Sequence, residues 1–156
     1  VLQIDAGGSH RPNECLKFLD AAHAGADLVI GSRFLAGARY LNFSGNWYRP
    51  LLSQAATMAM NYSQRGAQYT DWTSGYRYFS GRALDVLLEK KYMASMHGWQ
   101  MEVLAYAGEA GLKIVEVPIT YRAGRSSFNR KVAWEAVMTF LHVMHHVMYV
   151  GFKSDV

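Results

Sequence analysis

The chain has 156 residues, of which 51% are hydrophobic and 18% are charged. This length suffices for one domain with a core and is too short for two, and the composition excludes a disordered protein. A formal net charge of +4 favours an anionic partner, such as a phosphate-bearing substrate or an anionic membrane surface, and the lack of a long basic run argues against nucleic acid. The single cysteine, Cys15, excludes an internal disulfide and predicts a reducing compartment.

The first predicted element is an apolar strand that leads into an acid and a glycine turn. Leu2–Asp5 is predicted to be a buried β-strand, and Gly7 and Gly8 follow it. In an open α/β sheet, ligands bind beyond the carboxyl ends of the strands, so this strand would deliver Asp5 to a site. Because a buried central strand stands at the very start of the sequence, we expect a fold whose first half is absent from this chain.

A helix and a second strand follow. Pro12 and Asn13 open a helix that extends to about Ala24. Its predicted apolar side consists of Cys15, Leu16, Leu19 and Ala22. The second strand, 27–33, delivers Arg33 at its carboxyl end. We expect it to run parallel to the first strand as its neighbour, so that Asp5 and Arg33 lie at the same edge of one sheet.

The remaining segments continue the alternation of helices and strands. In chain order we predict a loop over 34–46, a helix over 48–63, a turn over 71–75, a strand over 76–79, helices over 82–89 and 99–109, a strand over 113–121, a basic loop over 122–131 and a helix over 132–150. In the helix over 48–63, the predicted buried side is Leu52, Ala55, Ala56, Ala59 and Met60. The alternation predicts an α/β fold. About four strands make a thin sheet, which again suggests a missing half.

Four stretches carry a family resemblance: 5–12 (DAGGSHRP), 25–33 (GADLVIGSR), 71–77 (DWTSGYR) and 111–122 (GLKIVEVPITYR). In this order they resemble the family-2 glycosyltransferases, in the dolichol-phosphate mannose synthase or polyprenyl-phosphate glycosyltransferase branch. The resemblance implies the C-terminal part of the catalytic domain, a partial GT-A (Rossmann-like) mixed sheet with flanking helices that lacks the N-terminal nucleotide-binding half. This partial domain would cover residues 1–130, and residues 131–156 would form a C-terminal amphipathic helix.

The resemblance implies a metal site after the first strand. The family holds Mg²⁺ or Mn²⁺ with an Asp-x-Asp motif, whose first acid matches Asp5 and whose second position is Gly7 here. Ser9 lies where the family often places a further polar ligand. We therefore expect a weakened metal site on Asp5 and Ser9. The alternative is that Asp5 only caps the turn before the Pro12 helix.

The resemblance also implies a site for the acceptor phosphate. Arg33, Arg49 and Ser53 would bind this phosphate, and Arg33 would act in catalysis together with Asp5. Arg49 and Ser53 are four residues apart and share one helical face. Guanidinium groups suit phosphate oxygens. Arg122 and Arg125 would add charge from the basic loop. The alternative for these residues is a solvated surface.

The turn over 71–77 would lie on the acceptor side of the site. Asp71, Ser74, Gly75 and Arg77 match the family's acceptor-side turn, and Gly75 would let the backbone approach a ligand. The alternative is an ordinary turn that begins at Asp71, with Trp72 packed inside.

Two functions remain open from the sequence. The resemblance implies transfer of a sugar from a nucleotide-sugar donor to a polyprenyl (dolichyl-type) phosphate, which needs no general base because the acceptor oxygen is already anionic. Positioning and charge neutralisation are then the required work. The alternative is a catalytically weakened or inactive homologue that acts as a binding or assembly module. Another chain, or a missing N-terminal segment, would complete the fold.

The last predicted helix is mostly apolar. Glu135, Thr139, His142 and His146 line one narrow polar stripe along it. Behind a basic loop, such a helix fits the plane of a membrane interface and predicts a peripheral protein on the cytoplasmic face of a membrane. The alternative is that the helix packs on the body of the fold.

Overall fold

The computed structural model describes residues 1–42, 48–64, 68–94, 98–123, 134, 137–143 and 145. This part of the chain is a mixed α/β fold with flanking helices, as the sequence predicts. Its strands form two small sheets in place of the one mixed sheet that was expected. The elements are β1 (Leu2–Gln3), a 3-10 helix (Pro12–Glu14), α1 (Cys15–His23), β2 (Leu28–Ser32), β3 (Arg39–Asn42), α2 (Tyr48–Ser63), β4 (Arg77–Phe79), α3 (Gly81–Leu88), α4 (Trp99–Glu109), β5 (Ile114–Pro118) and β6 (Thr120–Ala123). The predicted boundary at residue 130 lies outside the described residues and stays a prediction.

The main sheet has the strand order β1-β4-β2-β5. β4 runs antiparallel to both of its neighbours, and β2 runs parallel to β5. The carboxyl ends of β1, β2 and β5 and the start of β4 therefore lie on the same side of the sheet. We call this row of strand ends the sheet edge, as distinct from the outer strands. Asp5 and Arg33 leave the sheet at this edge, as expected for a common site. The expectation that they follow neighbouring strands is wrong, because β4 lies between β1 and β2.

β1 is shorter and more exposed than the sequence predicts. Only Leu2–Gln3 pair with β4, and the side chains of Leu2 and Ile4 are each 38% exposed. Within the described residues β4 is the one strand that pairs with β1, so one edge and much of the side-chain surface of β1 stay uncovered. The prediction of a buried strand is therefore wrong for this part of the chain.

The core lies on both faces of β2, whose five residues are all buried. Successive side chains of a strand point to opposite faces, so Leu28 and Ile30 enter the larger cluster and Val29 the smaller one. The larger cluster is built on α4, which buries eight consecutive residues from Gln100 to Ala107. This rigid centre holds the sheet edge in place.

The predicted buried sides of α1 and α2 are correct only in part, because Met60 is buried as predicted whereas Leu16, Leu19 and Leu52 are not. α1 buries Phe18, whereas Leu16 and Leu19 are 64% and 41% exposed. α2 buries Thr57 and Met60 and leaves Leu52 half exposed. Apolar residues lie all around both helices, so their spacing does not identify the face that packs. Cys15 is half-buried, as expected.

The predicted strand over 113–121 is two strands in two sheets. β5 ends at Pro118 at the outer edge of the main sheet, where the missing proline N–H costs no pairing. The Ile119 N–H donates to the Ser32 carbonyl, and β6 then pairs in parallel with β3. The prediction of a loop over 34–46 missed β3, because its strand pairing with β6 is non-local.

Candidate active site at the edge of the sheet

Arg33 and Asp71 form a buried, bidentate ion pair at the sheet edge. Nε and the backbone N–H of Arg33 donate to Asp71 Oδ2 at 2.7 and 3.1 Å, and Nη2 donates to Oδ1 at 2.8 Å. Burial alone would lower the pKa of Arg33 and raise that of Asp71. The opposite charge and the hydrogen bonds outweigh burial, so the Arg33 pKa is raised and the Asp71 pKa is lowered. Both groups stay charged at neutral pH.

Two aromatic rings flank the guanidinium of Arg33. Cζ lies 5.3 Å from the ring centroid of Phe34 and 5.3 Å from that of Tyr121. Nη2 also donates to the Thr73 hydroxyl at 2.5 Å. The guanidinium is therefore held in one orientation by charge, hydrogen bonds and cation–π contacts.

Glu116 on β5 holds the segment that carries Asp71. Its carboxylate accepts from the Thr70 N–H at 2.9 Å, the Thr70 hydroxyl at 3.0 Å and the Asp71 N–H at 3.0 Å. Burial raises the pKa of Glu116, and the hydrogen bonds from Thr70 and Asp71 reduce that shift. Sequence reasoning missed this residue. The available signal was a carboxylate within an otherwise apolar strand.

Arg77 supports the same turn from the interior. It is fully buried, and Nε, Nη1 and Nη2 donate to the carbonyls of Ser74, Gln100 and Trp72 at 2.9, 2.8 and 3.0 Å. Burial lowers the pKa of Arg77 to about 10. Its guanidinium is thus engaged by backbone carbonyls inside the fold, and Ser74 is buried with it.

Asp5 reaches the same edge from β1. Its side chain is 50% exposed, and Oδ2 lies 3.2 Å from Nε2 of the buried His10. A Cβ added at Gly75 would lie 2.8 Å from Asp5 Oδ1, so the backbone of the turn approaches this carboxylate closely. The close approach predicted for Gly75 is thus made toward Asp5, and Asp5 lies against the turn that carries Asp71.

The expected metal site after β1 has one carboxylate, that of Asp5, among the residues matched to the family motif. A hard divalent cation takes about six oxygen ligands, and Gly7 adds no side-chain oxygen. No group of three or more His, Cys, Asp or Glu that could hold a metal occurs within the described part of the chain. Ser9 accepts a hydrogen bond from the Arg122 N–H through its carbonyl and, with Arg122, lines a cleft of about 250 Å³.

Arg49 and Ser53 lie on the inward side of α2. They are half-buried and precede the buried Thr57 and Met60 at helical spacing. Burial raises the pKa of Tyr40, while the charges of Arg33 and Arg49 act to lower it. Both arginines are therefore close enough to act on the same phenol. Arg125 lies outside the described residues.

The helix over 137–143 packs on the fold through its polar side. Thr139 and Val143 are buried, and His142 Nε2 lies 4.0 Å from Oε1 of the fully buried Glu102. Among the described residues of 134–145, the exposed side chains are Trp134 (67%), Val137 (50%), Met138 (40%), Leu141 (52%) and His145, and all but His145 are apolar. Glu135 and His146 of the predicted polar stripe lie outside the described residues. Across the part of the chain that the structure describes, no helix is long and apolar enough to cross a membrane.

Comparison with known proteins identifies relatives, although no family model matches the chain. A polyprenol monophosphomannose synthase of Mycolicibacterium smegmatis is 35% identical over 121 residues, which are 78% of this chain and 44% of that protein. An undecaprenyl-phosphate mannosyltransferase of Micrococcus luteus is 31% identical over 141 residues, 88% of this chain and 56% of that protein. Glycosyltransferase AglJ of Haloferax volcanii is 28% identical over 125 residues, 78% and 38% of the two chains.

The names of these relatives agree with the family resemblance of the sequence motifs. The chain spans about half the length of the two most identical of these relatives, 44% and 56%. Over most of its own length, its sequence therefore resembles the polyprenyl-phosphate glycosyltransferases, and the resemblance predicted from the motifs is confirmed.

Proposed function

We propose that this chain forms the acceptor-side part of an enzyme that transfers a sugar from a nucleotide sugar to a polyprenyl phosphate. The observation that carries the proposal is Arg33, a cation fixed by Asp71 at the carboxyl edge of the sheet. Arg49 supplies a second cation that acts on the same phenol, Tyr40. Two arginines at such an edge suit a phosphate, and the names of two relatives specify polyprenol or undecaprenyl-phosphate chemistry.

The geometry of Arg33 fits this role. Asp71 and Thr73 engage Nε and Nη2, and Nη1 makes no hydrogen bond within the described residues. An acceptor phosphate would bind this remaining side of the guanidinium. Its oxygen is already anionic and needs no general base. The contribution of this chain is then to position the acceptor and neutralise its charge.

The finer architecture is also a proposal. We infer a partial GT-A fold, in which an N-terminal half that is absent from this chain binds the nucleotide. Supporting this, the chain covers about half the length of the polyprenol monophosphomannose synthase and the undecaprenyl-phosphate mannosyltransferase. The uncovered edge of β1 is where a further strand would pair.

For the divalent cation we propose a weak site, because Asp5 would be its one carboxylate. Substituting Gly7→Asp restores a second acid at a position where an added Cβ meets nothing within 4 Å. We expect Gly7→Asp to bind Mn²⁺ more tightly than the wild type in calorimetric titrations, and Gly7→Asn to serve as the uncharged control. Tight binding by the wild type that survives Asp5→Ala would contradict the site.

Acceptor binding tests the function directly. Because Arg33 also neutralises Asp71, the variant of choice is Arg49→Met, and Arg39→Met on β3 is the control. We expect Arg49→Met to weaken binding of a short-chain polyprenyl phosphate about tenfold, the equivalent of one charge-assisted hydrogen bond, and Arg39→Met to leave it unchanged. Equal affinities in both variants would contradict a phosphate site at this edge. Binding without sugar transfer by an assembled protein would favour the binding-module alternative.

We further propose that the exposed apolar side of the last helix lies on the cytoplasmic face of a membrane. Burial of Thr139 and Val143 against the fold leaves Val137 and Leu141 outward, as a peripheral interface helix requires. Val137→Glu with Leu141→Glu should abolish co-sedimentation with anionic vesicles. Leu88→Glu, at a residue 79% exposed on α3, is the matched control. Unchanged co-sedimentation of the double variant would contradict this orientation.

A further inference from the structure

His10 is an unusual core residue. Its side chain is 1% exposed, yet Nδ1 is buried and has no hydrogen-bond partner among the residues that the structure describes. Leaving a buried polar atom unsatisfied costs stability, and a phenyl ring would fill this space without that cost. Within the described residues, the polar contact of the ring runs from Nε2 to Asp5 Oδ2 at 3.2 Å. A histidine at this position is therefore better explained by its contact with Asp5 than by packing in the core.

The ring of His10 is clamped between two tyrosines. Its centroid lies 5.1 Å from that of Tyr76 and 5.3 Å from that of Tyr121. The backbones of His10 and Tyr121 also form a β-bridge. These contacts fix the ring plane and hence the direction in which Nε2 points.

Tyr121 contacts both halves of the candidate site. The same ring that packs on His10 lies 5.3 Å from Arg33 Cζ. Tyr121 lies on β6, which follows β5 after Ile119. The N–H of the next residue, Arg122, donates to the Ser9 carbonyl at 2.8 Å and ties β6 to the segment before α1. A side chain in this place couples the loop after β1 to the end of β2.

We propose that His10 and Tyr121 form one positioning unit that sets the carboxylate of Asp5 relative to the guanidinium of Arg33. His10 donates from Nε2 to Asp5, and Tyr121 fixes the imidazole ring and the Arg33 guanidinium at once. Gly75 closes the other side of Asp5, because its bare Cα leaves room for Oδ1 and little more. Only the consequence for sugar transfer rests on the proposed function. The geometric claim concerns this chain alone.

Two substitutions of His10 separate the ring from the hydrogen bond. His10→Phe keeps an aromatic ring between the tyrosines and removes the donor, whereas His10→Gln keeps an N–H donor near Nε2 and removes the ring. The readout is the χ1 rotamer of Asp5, measured by NMR from three-bond couplings to its carboxyl carbon. We expect one rotamer in the wild type and His10→Gln and averaging in His10→Phe, whose melting temperature stays at or above that of the wild type.

Tyr121 has its own matched pair, which keeps the test decisive if a His10 variant fails to fold. Tyr121→Phe keeps the ring, and Tyr121→Leu removes it. We expect Tyr121→Leu to average the Asp5 rotamer and to broaden the Arg33 Nε–H resonance, with both signals unchanged in Tyr121→Phe. A single Asp5 rotamer in both folded His10→Phe and folded Tyr121→Leu would overturn the proposal and leave these residues a packing role.

Sugar transfer by the assembled enzyme supplies the functional arm. We expect kcat/KM to fall about tenfold in His10→Phe and to recover in His10→Gln, although the latter is the less stable protein. Absence of transfer in the wild type as well as in every variant, with the NMR pattern as expected, would refute the proposed function. The positioning unit would then remain supported by the NMR result. Full transfer by His10→Phe would overturn the unit's role in the reaction.

Discussion

The two segments that meet at the sheet edge are built in different ways. In the turn at 70–77, Asp71 and Arg77 are fully buried and bonded on several sides. In the loop after β1, Asp5 is half exposed, and Gly7 and Gly8 have open space around them. The difference shows that the fold holds the Arg33 guanidinium in one orientation through its buried partner Asp71. The Asp5 carboxylate, by contrast, lies at a half-exposed position beside two glycines.

Removing Arg77 should destabilise the turn at 70–77 and have the largest effect on the stability of the fold. Arg77→Met leaves three carbonyls without their donor, and we expect a loss of about 3–5 kcal/mol in the free energy of unfolding, the usual range for breaking a buried charged network. Arg82→Met is the control. That arginine is 65% exposed in an ion pair with Asp27, and its loss should cost at most about 1 kcal/mol. Urea unfolding measures both, and similar losses would contradict the supporting role of Arg77.

Neutralising Asp71 should have the next largest effect. Asp71→Asn leaves Arg33 buried without its counter-charge, and we expect a loss of about 3 kcal/mol near neutral pH. The pKa of Asp71 is lowered in the fold, so below its ordinary value of 3.8 the unfolded state binds more protons. The wild type therefore loses this part of its stability as pH falls through and below 3.8, and Asp71→Asn has none of it to lose. Parallel acid-unfolding curves would contradict the pairing.

Substituting Gly75 tests how closely the two segments touch. A Cβ there would lie 2.8 Å from Asp5 Oδ1, so Gly75→Ala should destabilise the fold by about 1–2 kcal/mol through overpacking. Adding Asp5→Ala should remove most of this cost, because it deletes the atom that clashes. Gly81→Ala, where an added Cβ meets nothing within 4 Å, should not destabilise. Strictly additive effects at positions 75 and 5 in thermal melts would show that the contact is absent.

Substituting Glu116 should have the smallest effect on stability, and the pH dependence of that effect is opposite to the one expected for Asp71. Its pKa is raised above 4.5, so between 4.5 and the raised value the folded state holds more protons than the unfolded state. Stability should therefore decline as pH rises through that window in the wild type and stay flat there in Glu116→Gln. The variant should also lose about 1 kcal/mol at neutral pH with its hydrogen bonds. A wild-type curve without this decline would contradict the shift.

Local patterns predicted most elements but not the faces on which they pack. α4 was predicted with its observed bounds, and β2 within one residue of each end. The predicted buried sides of α1 and α2 were wrong at Leu16, Leu19 and Leu52 because apolar residues surround both helices, and only the contacts of the folded chain select a side. Gly31 illustrates the dependence: an added Cβ there would lie 2.8 Å from Cζ of Phe18, so that glycine creates the space that Phe18 occupies.

The family resemblance and the placement of Asp5 and Arg33 at the carboxyl ends of two strands could be predicted from the sequence alone. These follow from motifs and strand direction, which are local properties of the chain. The tertiary structure decided that β4 lies between those strands, that Arg77 faces inward, and that Asp71, Glu116, His10 and Tyr121 hold the site together. The physical reason is that these partnerships join residues far apart in the chain, 38 positions for Arg33 and Asp71 and 45 for Asp71 and Glu116, and no local pattern encodes such contacts.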